Sequence, residues 1–530
     1  MYTLDQMKKL AGKGKVSRRD FVQFAMAAGI TAAAADLMYV KAARAEPKRG
    51  GFMRMGSPHG STTDTLDPQS YLDTYTQSVF ASVLSNSLTE VNAQGGVEGD
   101  LAESYEPSDD VKTWAFTLRK GVTFHDGKPL TPEDVVATCR FHMSEESKSP
   151  VKGSLGSVTD IKADGDKVIF TLSDASADFP FIVSDPLMCI LPSKDGSVDW
   201  QSGSRTGGYV LEKFDPGVST KMKRNPNYHK ADRAWFDEVE FLVLADVTAR
   251  TNALTTGEIH YMSRCDLKTL NLLQRNQDVA ISEVTGLGHI TLPMLVNVPP
   301  FDNLDVRMAL KHAIDRQNIA DKIFYGHATP GNDNPIAPPP SVQYAIDPQP
   351  RHTYDPDKAK DYLKKAGLSS LKVDLSVSDA AFEGAVDAGV LMKDHAAKAG
   401  IDINVINEPS DGYWDNVWLK KGWSASYWSG RATIDWMFTQ AYVGDAAWNE
   451  CLWKNARFDE LVAGARAELD DAKRAAMYAE AQQIVHDDGG QIVLVFRNFV
   501  DAHSAKLAHG DVGKNWELDG YRMAERWWFA

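Results

Sequence analysis

The segment "LKVDLSVSDAAFEGAVDAGVLMKDHAAKAGIDINVIN", residues 371–407, decides the fold class of this 530-residue chain. Residues 371–377 are typical of a strand, residues 382–400 of a helix that ends at Gly400, and residues 401–407 of a second strand. A strand, a helix and a strand in this order form a βαβ unit, in which a helix covers two parallel strands. The segment therefore predicts an α/β fold.

The flanking sequence extends this prediction in both directions. Toward the C-terminus, "QIVLVFRNFV" (491–500) is apolar on successive residues, as expected for a strand buried on both faces. Toward the N-terminus, "DVRMALKHAIDRQNIADKIFYG" (305–326) has helical spacing and predicts one helix that Gly326 ends.

The first half of the chain predicts mainly strands. Trp114, Phe116 and Leu118 alternate and share one strand face, while residues 167–174 and 239–246 are typical of further strands. The chain is too long for one ordinary domain. Together these patterns predict two lobes, one α/β and one more mixed.

The composition is that of a soluble globular protein, with 43% hydrophobic and 24% charged residues. The formal net charge is −15. Because phosphate binding requires a basic surface, this charge argues against a nucleic acid as a partner.

Residues 1–45 have the pattern of a signal peptide. A basic start precedes an apolar run and the small-residue pattern "ARA" (43–45), so we expect cleavage between Ala45 and Glu46. The pair Arg18-Arg19 resembles the twin-arginine export signal of bacteria, whereas an ordinary secretory signal is the alternative. We therefore expect the mature protein in the periplasm.

Four cysteines lie beyond this signal, with no CxxC spacing that would indicate zinc. In an oxidising compartment they can form disulfides in three pairings, or they can remain buried thiols. The sequence does not distinguish these alternatives for Cys139, Cys189, Cys265 and Cys451.

The stretch "GVTFHDGKPLTPEDVV" (121–136) looks like a chemical site, but it has a structural interpretation. Asp126-Gly127 is typical of a tight turn, Thr131 of a helix N-cap, and Asp134 of the third residue of a capping box. His125 has no partner at metal-ligand spacing. We predict no catalytic residue, no metal site and no cofactor.

Several stretches in order along the chain resemble the bacterial extracellular solute-binding proteins of family 5, which serve peptide, nickel and related ABC importers. "LAESYEPSDDVKTWAFTLRKGVTFHDGKPLTPEDVVATCRF" (101–141) carries the most recognisable part of this resemblance. Residues 65–95, "TGGYVLEKFDPG" (206–217), "KRNPNYH" (223–229) and "NVPPFDNLDVRMALKHAIDRQNI" (297–319) carry the rest.

The resemblance implies a two-lobed periplasmic-binding-protein fold, type II-like with an extra inserted subdomain, whose lobes close around a solute. By this analogy, lobe I comprises residues 46–90, 204–292 and 497–530, the inserted subdomain residues 91–203, and lobe II residues 293–496. The hinge strands are expected near Pro293–Val296 and Val495–Asn498.

Residues 411–453 are the richest candidate for a binding site, because this segment contains seven of the thirteen tryptophans. Such density suits an aromatic-walled pocket. We expect Trp414, Trp418 and Trp453 to pack in lobe II and Trp428 to line the pocket, since Gly430 lets backbone approach a ligand. The candidate ligand-binding residues of this segment are Trp423, Tyr427, Trp428, Ser429, Gly430, Arg431 and Asp435.

Arg431 stands where the resemblance implies an acidic residue, which in peptide-binding relatives pairs with the peptide's α-ammonium group. A cation in a closing cleft needs an anionic partner. That partner is either a carboxylate or phosphate of the ligand, or Asp435 four residues further on. "TGLGHITLPML" (285–295) supplies Gly288 and His289 as further candidates, with a solvent-facing His289 as the alternative.

These features predict a monomeric receptor that captures a peptide or a peptide-sized organic solute, anionic or zwitterionic, and delivers it to ABC transporter permease subunits in the inner membrane. A nickel-chelate receptor, a secreted hydrolase and a chaperone-like peptide binder are the alternatives. A hydrolase would require a nucleophile and a base within hydrogen-bond reach, and no motif for such a pair occurs in the sequence.

Overall fold

The computed structural model describes residues 3–4, 6–7, 16, 18–28, 30–31, 35, 47–71, 73–409, 413–446 and 448–530. The strands are β1 Phe52–Ser57, β2 Thr89–Val91, β3 Val97–Gly99, β4 Ala102–Pro107, β5 Thr113–Leu118, β6 Val158–Asp164, β7 Lys167–Leu172, β8 Ser193–Lys194, β9 Ser197–Val198, β10 Tyr209–Asp215, β11 Ser219–Arg224, β12 Glu238–Val243, β13 Tyr261–Met262, β14 Val279–Pro293, β15 Ala328–Pro330, β16 Leu371–Val377, β17 Ile401–Asn407, β18 Ser426–Trp428, β19 Gln491–Ser504, β20 Leu507–Ala508 and β21 Trp528–Phe529.

The α-helices are α1 Arg18–Ala27, α2 Thr74–Thr76, α3 Pro132–Met143, α4 Phe179–Ile182, α5 Val247–Thr256, α6 Leu270–Leu273, α7 Leu304–Ala313, α8 Arg316–Lys322, α9 Pro356–Lys365, α10 Ala385–Ala397, α11 Tyr413–Asn416, α12 Ile434–Ala441, α13 Ala456–Ala467, α14 Asp471–Asp488 and α15 Met523–Arg526. A π-helix, Gln77–Val83, continues α2. Short 3-10 helices occupy Pro68–Ser70 and Pro186–Met188. Within the described ranges, no helix combines the length and the apolar character needed to cross a membrane.

The main sheet has the order β10-β11-β12-β1-β13-β19-β14-β18, and β15 pairs with β19. Two of its strands, β14 and β19, are unusually long at 15 and 14 residues. They run antiparallel from the pair Val279–Ser504 to the pair Pro293–Gln491, with irregular register between Thr285 and His289. These two strands connect the two halves of the molecule.

The two halves have separate hydrophobic cores. One core combines buried residues between Met53 and Phe241 with the C-terminal segment up to Trp527. Another combines residues from Ile290 to Ala425 with Ile492–Val495 of β19. The predicted two-lobed α/β fold is therefore confirmed, whereas the exact lobe boundaries and hinge positions stay predictions.

The βαβ unit that predicted the fold class forms as expected. Strands β16 and β17 pair in parallel from Leu371–Ile401 to Val377–Asn407, and α10 connects them. The prediction of one continuous helix over residues 305–326 is wrong. Ile314 is extended, and the Asp315 carboxylate accepts the backbone N–H of Asn318, so Asp315 caps a second helix, α8.

The segment around His125 is structural. Gly127 has a φ of +89°, which the predicted tight turn requires, and α3 begins directly after Thr131. The Asp134 carboxylate accepts the backbone N–H of Thr131 at 2.9 Å, which is one half of a capping box. The His125 ring bonds the carbonyl of Gly207 through Nε2 at 3.0 Å and accepts the backbone N–H of Arg205 through Nδ1 at 3.3 Å.

The four cysteines are free and buried, so of the two alternatives the structure has buried thiols. Burial raises the pKa of the Cys139 thiol to about 12. This thiol is therefore protonated and unreactive at neutral pH.

Candidate ligand-binding cleft

A cavity of about 400 Å³ lies where the two halves meet. His59, Arg264 and Glu517 line it from one side, Phe382 and Tyr427 from the other, and residues 497–501 of β19 cross between them. Its volume falls within the range of about 300–1,000 Å³ that is usual for ligand pockets. The cavity is therefore large enough for a peptide-sized molecule.

Two arginines share one glutamate in this cavity. Arg264 donates to both carboxylate oxygens of Glu517, with Nε at 3.0 Å from Oε2 and Nη2 at 2.8 Å from Oε1. Arg497 donates to Glu517 only through Nη2, at 3.1 Å from Oε1, and its buried Nε has no hydrogen-bond partner among the described residues. All three nitrogens of the Arg264 guanidinium have partners, whereas Arg497 uses only one of its three.

The protonation states in this cavity follow from burial and from the two guanidinium groups. Burial opposes ionisation of Glu517, but Arg264 and Arg497 outweigh it and lower the pKa of Glu517 to about 2. Burial, reinforced by Arg264, lowers the pKa of His59 to about 4, so this imidazole is neutral at pH 7. Burial raises the pKa of Asp501 to about 6. Asp501 accepts from the Tyr261 hydroxyl and the Arg264 backbone N–H.

A left-handed turn places Glu517 in the cavity. Leu518, Asp519, Gly520 and Tyr521 all have positive φ, between 56° and 65°. The left-handed region costs non-glycine residues about 1–2 kcal/mol each. Asp519 holds the turn, because its carboxylate accepts the backbone N–H of Gly513 and the indole N–H of Trp527 and pairs with Arg526 at 3.1 Å. Such strain, held by its surroundings, is typical of functional segments.

Of the residues predicted to bind ligand, Tyr427 alone lines the 400 Å³ cavity. The Arg497 guanidinium lies over its ring, 5.7 Å from the centroid. Neighbouring Trp428 is buried in a hydrophobic core with Met437 and Phe438. Tyr427 and Trp428 face opposite sides because successive side chains alternate along β18.

Arg431 lies in a different part of the interface between the halves. Its Nε donates to Gln440 Oε1 at 2.7 Å, and its Nη1 donates to Ser429 O at 3.0 Å, Ser429 Oγ at 3.1 Å and Gly430 O at 3.1 Å. Its guanidinium lies 5.4 Å from the ring centroid of Trp436. Burial lowers the pKa of Arg431, while the charge of Asp185 favours the protonated form.

The alternative in which Asp435 neutralises Arg431 is wrong. The Asp435 carboxylate pairs instead with Arg466, whose Nε lies 3.0 Å from Oδ1 and 3.1 Å from Oδ2. Asp435 follows the α12 N-cap Thr433 and is almost fully buried. Among the described residues, Arg431 has no ion pair with a carboxylate within 4.0 Å.

Gly288 and Gly430 serve close backbone packing. A Cβ on Gly430 would lie 2.2 Å from the Leu287 Cβ, and one on Gly288 would lie 3.1 Å from the Trp428 carbonyl oxygen. His289 is fully buried, so the solvent-facing alternative for it is wrong. Its ring packs 5.4 Å from that of Phe496, and neither ring nitrogen has a hydrogen bond of ordinary geometry among the described residues. Burial lowers the pKa of His289 to about 3.

The remaining tryptophans of the 411–453 segment divide between core and surface. Trp453 is buried as expected, and buried Trp423 packs against Phe301 at 6.2 Å. Trp414 was expected in the core but is 38% exposed, because it stands edge-on to Tyr427 and Trp418 at the surface.

One side-chain group among the described residues has the spacing of metal ligands, namely His352, His486 and Asp487. Three of its four ring nitrogens already have partners. His486 Nδ1 lies 2.6 Å from Asn332 O and Nε2 3.1 Å from Pro350 O, while His352 Nδ1 lies 2.7 Å from Asp333 Oδ2. This group is better explained as a buried hydrogen-bond network than as a metal site.

Sequence reasoning missed Arg264, Arg497 and Glu517. Arg497 did leave a signal, because it interrupts the apolar run "QIVLVFRNFV", and a charge in a buried strand requires a partner. Arg264 and Glu517 are 253 residues apart in sequence and stand in unremarkable contexts, so no local pattern connects them.

The family model "Bacterial extracellular solute-binding proteins, family 5 Middle" matches residues 96–450. The chain is similar to the glutathione-binding protein GsiB of Escherichia coli K12, with 27% identity over 472 residues that cover 84% of this chain and 90% of GsiB. The GsiB of Salmonella typhimurium matches with the same identity and coverage.

Solved structures share the fold. The periplasmic binding protein DppA of Helicobacter pylori, in complex with the peptide STSA, superposes with a TM-score of 0.77 at 22% identity, covering 90% of this chain and 98% of DppA. The family match spans well over half of the sequence, and the two-lobed architecture agrees with it. The chain belongs to the bacterial extracellular solute-binding proteins of family 5.

Proposed function

We propose that this protein is the periplasmic receptor of an ABC importer for a short peptide or peptide-sized solute that carries an acidic group. Its lobes close on the solute, and the closed form delivers it to permease subunits in the membrane. The family membership, the similarity to proteins named for glutathione binding and the cavity between the lobes support this proposal.

The environment of Arg431 is the observation that supports an acidic group on the solute. Its partners among the described residues are neutral oxygens of Gln440, Ser429 and Gly430. The charge of Asp185 favours the protonated guanidinium, but among the described residues no carboxylate pairs with it within 4.0 Å, and a buried guanidinium without a paired anion costs several kcal/mol. We infer that a solute carboxylate or phosphate completes this site when the lobes close.

Two neighbouring donors support the same inference. The Trp436 indole nitrogen and the Asn515 amide nitrogen are buried and have no hydrogen-bond acceptor among the described residues. Trp436 packs beside Arg431, while the backbone of Asn515 lies against Gly430. Native structures leave few buried donors unpaired, so the unpaired indole N–H beside Arg431 supports a missing acceptor there.

The proposed preference for an acidic group at this site distinguishes this chain from receptors for simple dipeptides. With arginine at the position where the resemblance implies an acidic residue, the site favours an anionic end of the solute over an ammonium end. Glutathione, for which the curated relatives are named, carries two carboxylates and is the first solute to test.

The proposed receptor binds its solute without converting it, and acts as a monomer. The lobe boundaries and hinges given above are the proposed moving parts. We also propose export by the twin-arginine pathway, supported by Arg18-Arg19 at the start of α1. The expected cleavage point, Ala45–Glu46, lies outside the described residues.

Native mass spectrometry of the mature protein purified from its own host tests the function first. A discrete adduct that is absent from the denatured protein identifies the solute by its mass. A mass that matches an acidic solute confirms the proposal. Titration calorimetry with glutathione, Met-Leu and a nickel–histidine chelate then ranks the solute classes. Tight binding of the chelate alone, or hydrolysis of a bound peptide, would contradict the proposal.

A further inference from the structure

We propose that the cavity at Arg497 is a second acid-binding subsite, so that the solute carries two acidic groups. This inference rests on the proposed function and deepens it, because it assigns one acidic group to Arg431 and the other to Arg497. The two sites are separate: Arg497 lines the 400 Å³ cavity, and Arg431 does not.

The first argument is the unequal use of the two arginines around Glu517. Three hydrogen bonds from Arg264 Nε and Nη2 reach the Glu517 carboxylate, and Arg264 Nη1 bonds His59 Nε2 at 3.0 Å. Arg497 makes one bond to Glu517, at 3.1 Å, and its Nε is buried without an acceptor among the described residues. Arg497 Nη1 has no hydrogen bond among the described residues, so this end of the guanidinium remains available for a solute.

The second argument is charge. The single carboxylate paired with Arg497 is already shared with Arg264, and His59 is neutral at pH 7 because burial lowers its pKa to about 4. Asp501 bonds Tyr261 and the Arg264 backbone, and it makes no ion pair with Arg497. The partly buried Arg497 guanidinium therefore has no carboxylate of its own, and an anionic group would complete its hydrogen bonds.

The third argument is the assembly of the subsite from both halves of the molecule. Arg497 belongs to β19, Glu517 to the strained left-handed turn, and Tyr427, whose ring lies below the guanidinium, to β18. Arg497 also lies within the proposed hinge segment Val495–Asn498. An acid bound there contacts the connection between the lobes and both walls of the cleft, so it would favour the closed form.

The outer rim of the cavity carries both signs of charge, with more carboxylates than ammonium groups. Asp379, Glu383 and Asp387 line it and are exposed, as are Lys268 and Lys322. An acidic solute group is therefore attracted to the inner end at Arg497, whereas an ammonium group of the same solute suits the rim. This difference in charge would orient a zwitterionic peptide, with its acidic end at Arg497 and its ammonium end at the rim.

The test uses Arg497→Gln, which removes the charge but leaves the Arg264–Glu517 pair intact. The control is Arg457→Gln, which removes an exposed charge that lies outside the lining of this cavity. Calorimetric titrations use glutathione, glutathione disulfide and their C-terminal amides as probes, each with wild type and both variants. Circular dichroism and thermal unfolding confirm that the variants are folded.

We expect Arg497→Gln to weaken binding of the free-acid probes about 30-fold and Arg457→Gln to change it less than threefold. The C-terminal amides should bind wild type about 30-fold more weakly than the free acids do. Arg497→Gln should lower the affinity of the amides little further, because the carboxylate that interacts with Arg497 is already absent from them. Equal losses for acid and amide, or none for either, would overturn the subsite while leaving the receptor function intact. Failure of every acid to bind wild type would overturn both proposals.

Discussion

The carboxylate of Asp435 is held by Arg466, whose Nε lies 3.0 Å from Oδ1 and 3.1 Å from Oδ2. Arg431, only four residues before Asp435, bonds neutral oxygens instead. The i,i+4 spacing that made the pair Arg431–Asp435 plausible applies within one helix, but α12 starts at Ile434, so Arg431 precedes it. The two arginines therefore have different functions that substitution can separate.

Arg431→Ala should abolish binding of an acidic solute, because it removes the guanidinium that we propose as the solute's partner. Its bonds to neutral oxygens are worth about 1 kcal/mol each, so the melting temperature should change by only a few degrees. Calorimetry with glutathione and a thermal melt of the ligand-free protein measure both effects. Unchanged affinity, or a large loss of stability without ligand, would indicate a structural role for Arg431.

Arg466→Ala is the matched control. We expect it to lower the stability of the fold and to leave binding of an acidic solute largely unchanged. It leaves the buried Asp435 carboxylate unpaired, which should cost about 3 kcal/mol of unfolding free energy at pH 7. Burial already raises the pKa of Asp435 to about 6. Because a protonated carboxyl no longer needs the cation, the deficit should shrink at pH 5. Urea unfolding at the two pH values measures this, and an equal deficit at both would count against the ion pair.

Arg474→Gln should weaken solute binding about tenfold, although Arg474 does not contact the solute. Arg474 pairs with Asp178 at 2.7 Å, and the Ala177 N–H donates to the carbonyl of Arg466, so this edge links the first half of the chain to α13 and α14. We expect this contact to break when the lobes separate, so that it favours the closed form. Small-angle X-ray scattering should show a more open ligand-free molecule. Arg457→Gln, which breaks an exposed pair with Glu480, is the control and should change neither quantity.

His289→Met should reduce the acid sensitivity of the fold. Burial lowers the pKa of His289 to about 3, whereas an unfolded histidine has a pKa of about 6.5. The unfolded state therefore binds a proton that the folded state excludes, and the stability from the neutral ring is lost as the pH falls below 6.5. Between pH 7 and pH 5 the variant should lose about 2 kcal/mol less than wild type. Parallel urea titrations would refute this if the two proteins lost equal stability.

His125→Ala should leave solute affinity unchanged, because the ring bonds the backbone of Gly207 and Arg205 and does not line the 400 Å³ cavity. Some stability should be lost with these hydrogen bonds, about 1 kcal/mol each. A tenfold loss of affinity in calorimetry would show that this residue belongs to the binding site after all.

The sequence by itself determined the fold class and several of the regular elements, because those depend on local periodicity and end signals. The pattern of residues 371–407 predicted β16, α10 and β17, and Thr131 with Asp134 predicted the start of α3. Local patterns failed at Asp315, whose side chain ends one helix and begins another within a periodic apolar run. There, capping outweighed periodicity.

Only the tertiary structure decided how the cleft is built. Because side chains alternate along β18, Tyr427 and Trp428 face opposite sides of the strand. The Asp435 carboxylate pairs with Arg466, although its sequence spacing suggested a pair with Arg431. Glu517 meets Arg264 across 253 residues and reaches it from a turn in which three of the four left-handed residues are not glycine. Such contacts depend on which distant segments the fold brings together, and burial then fixes their charges, so neither spacing nor composition contains them.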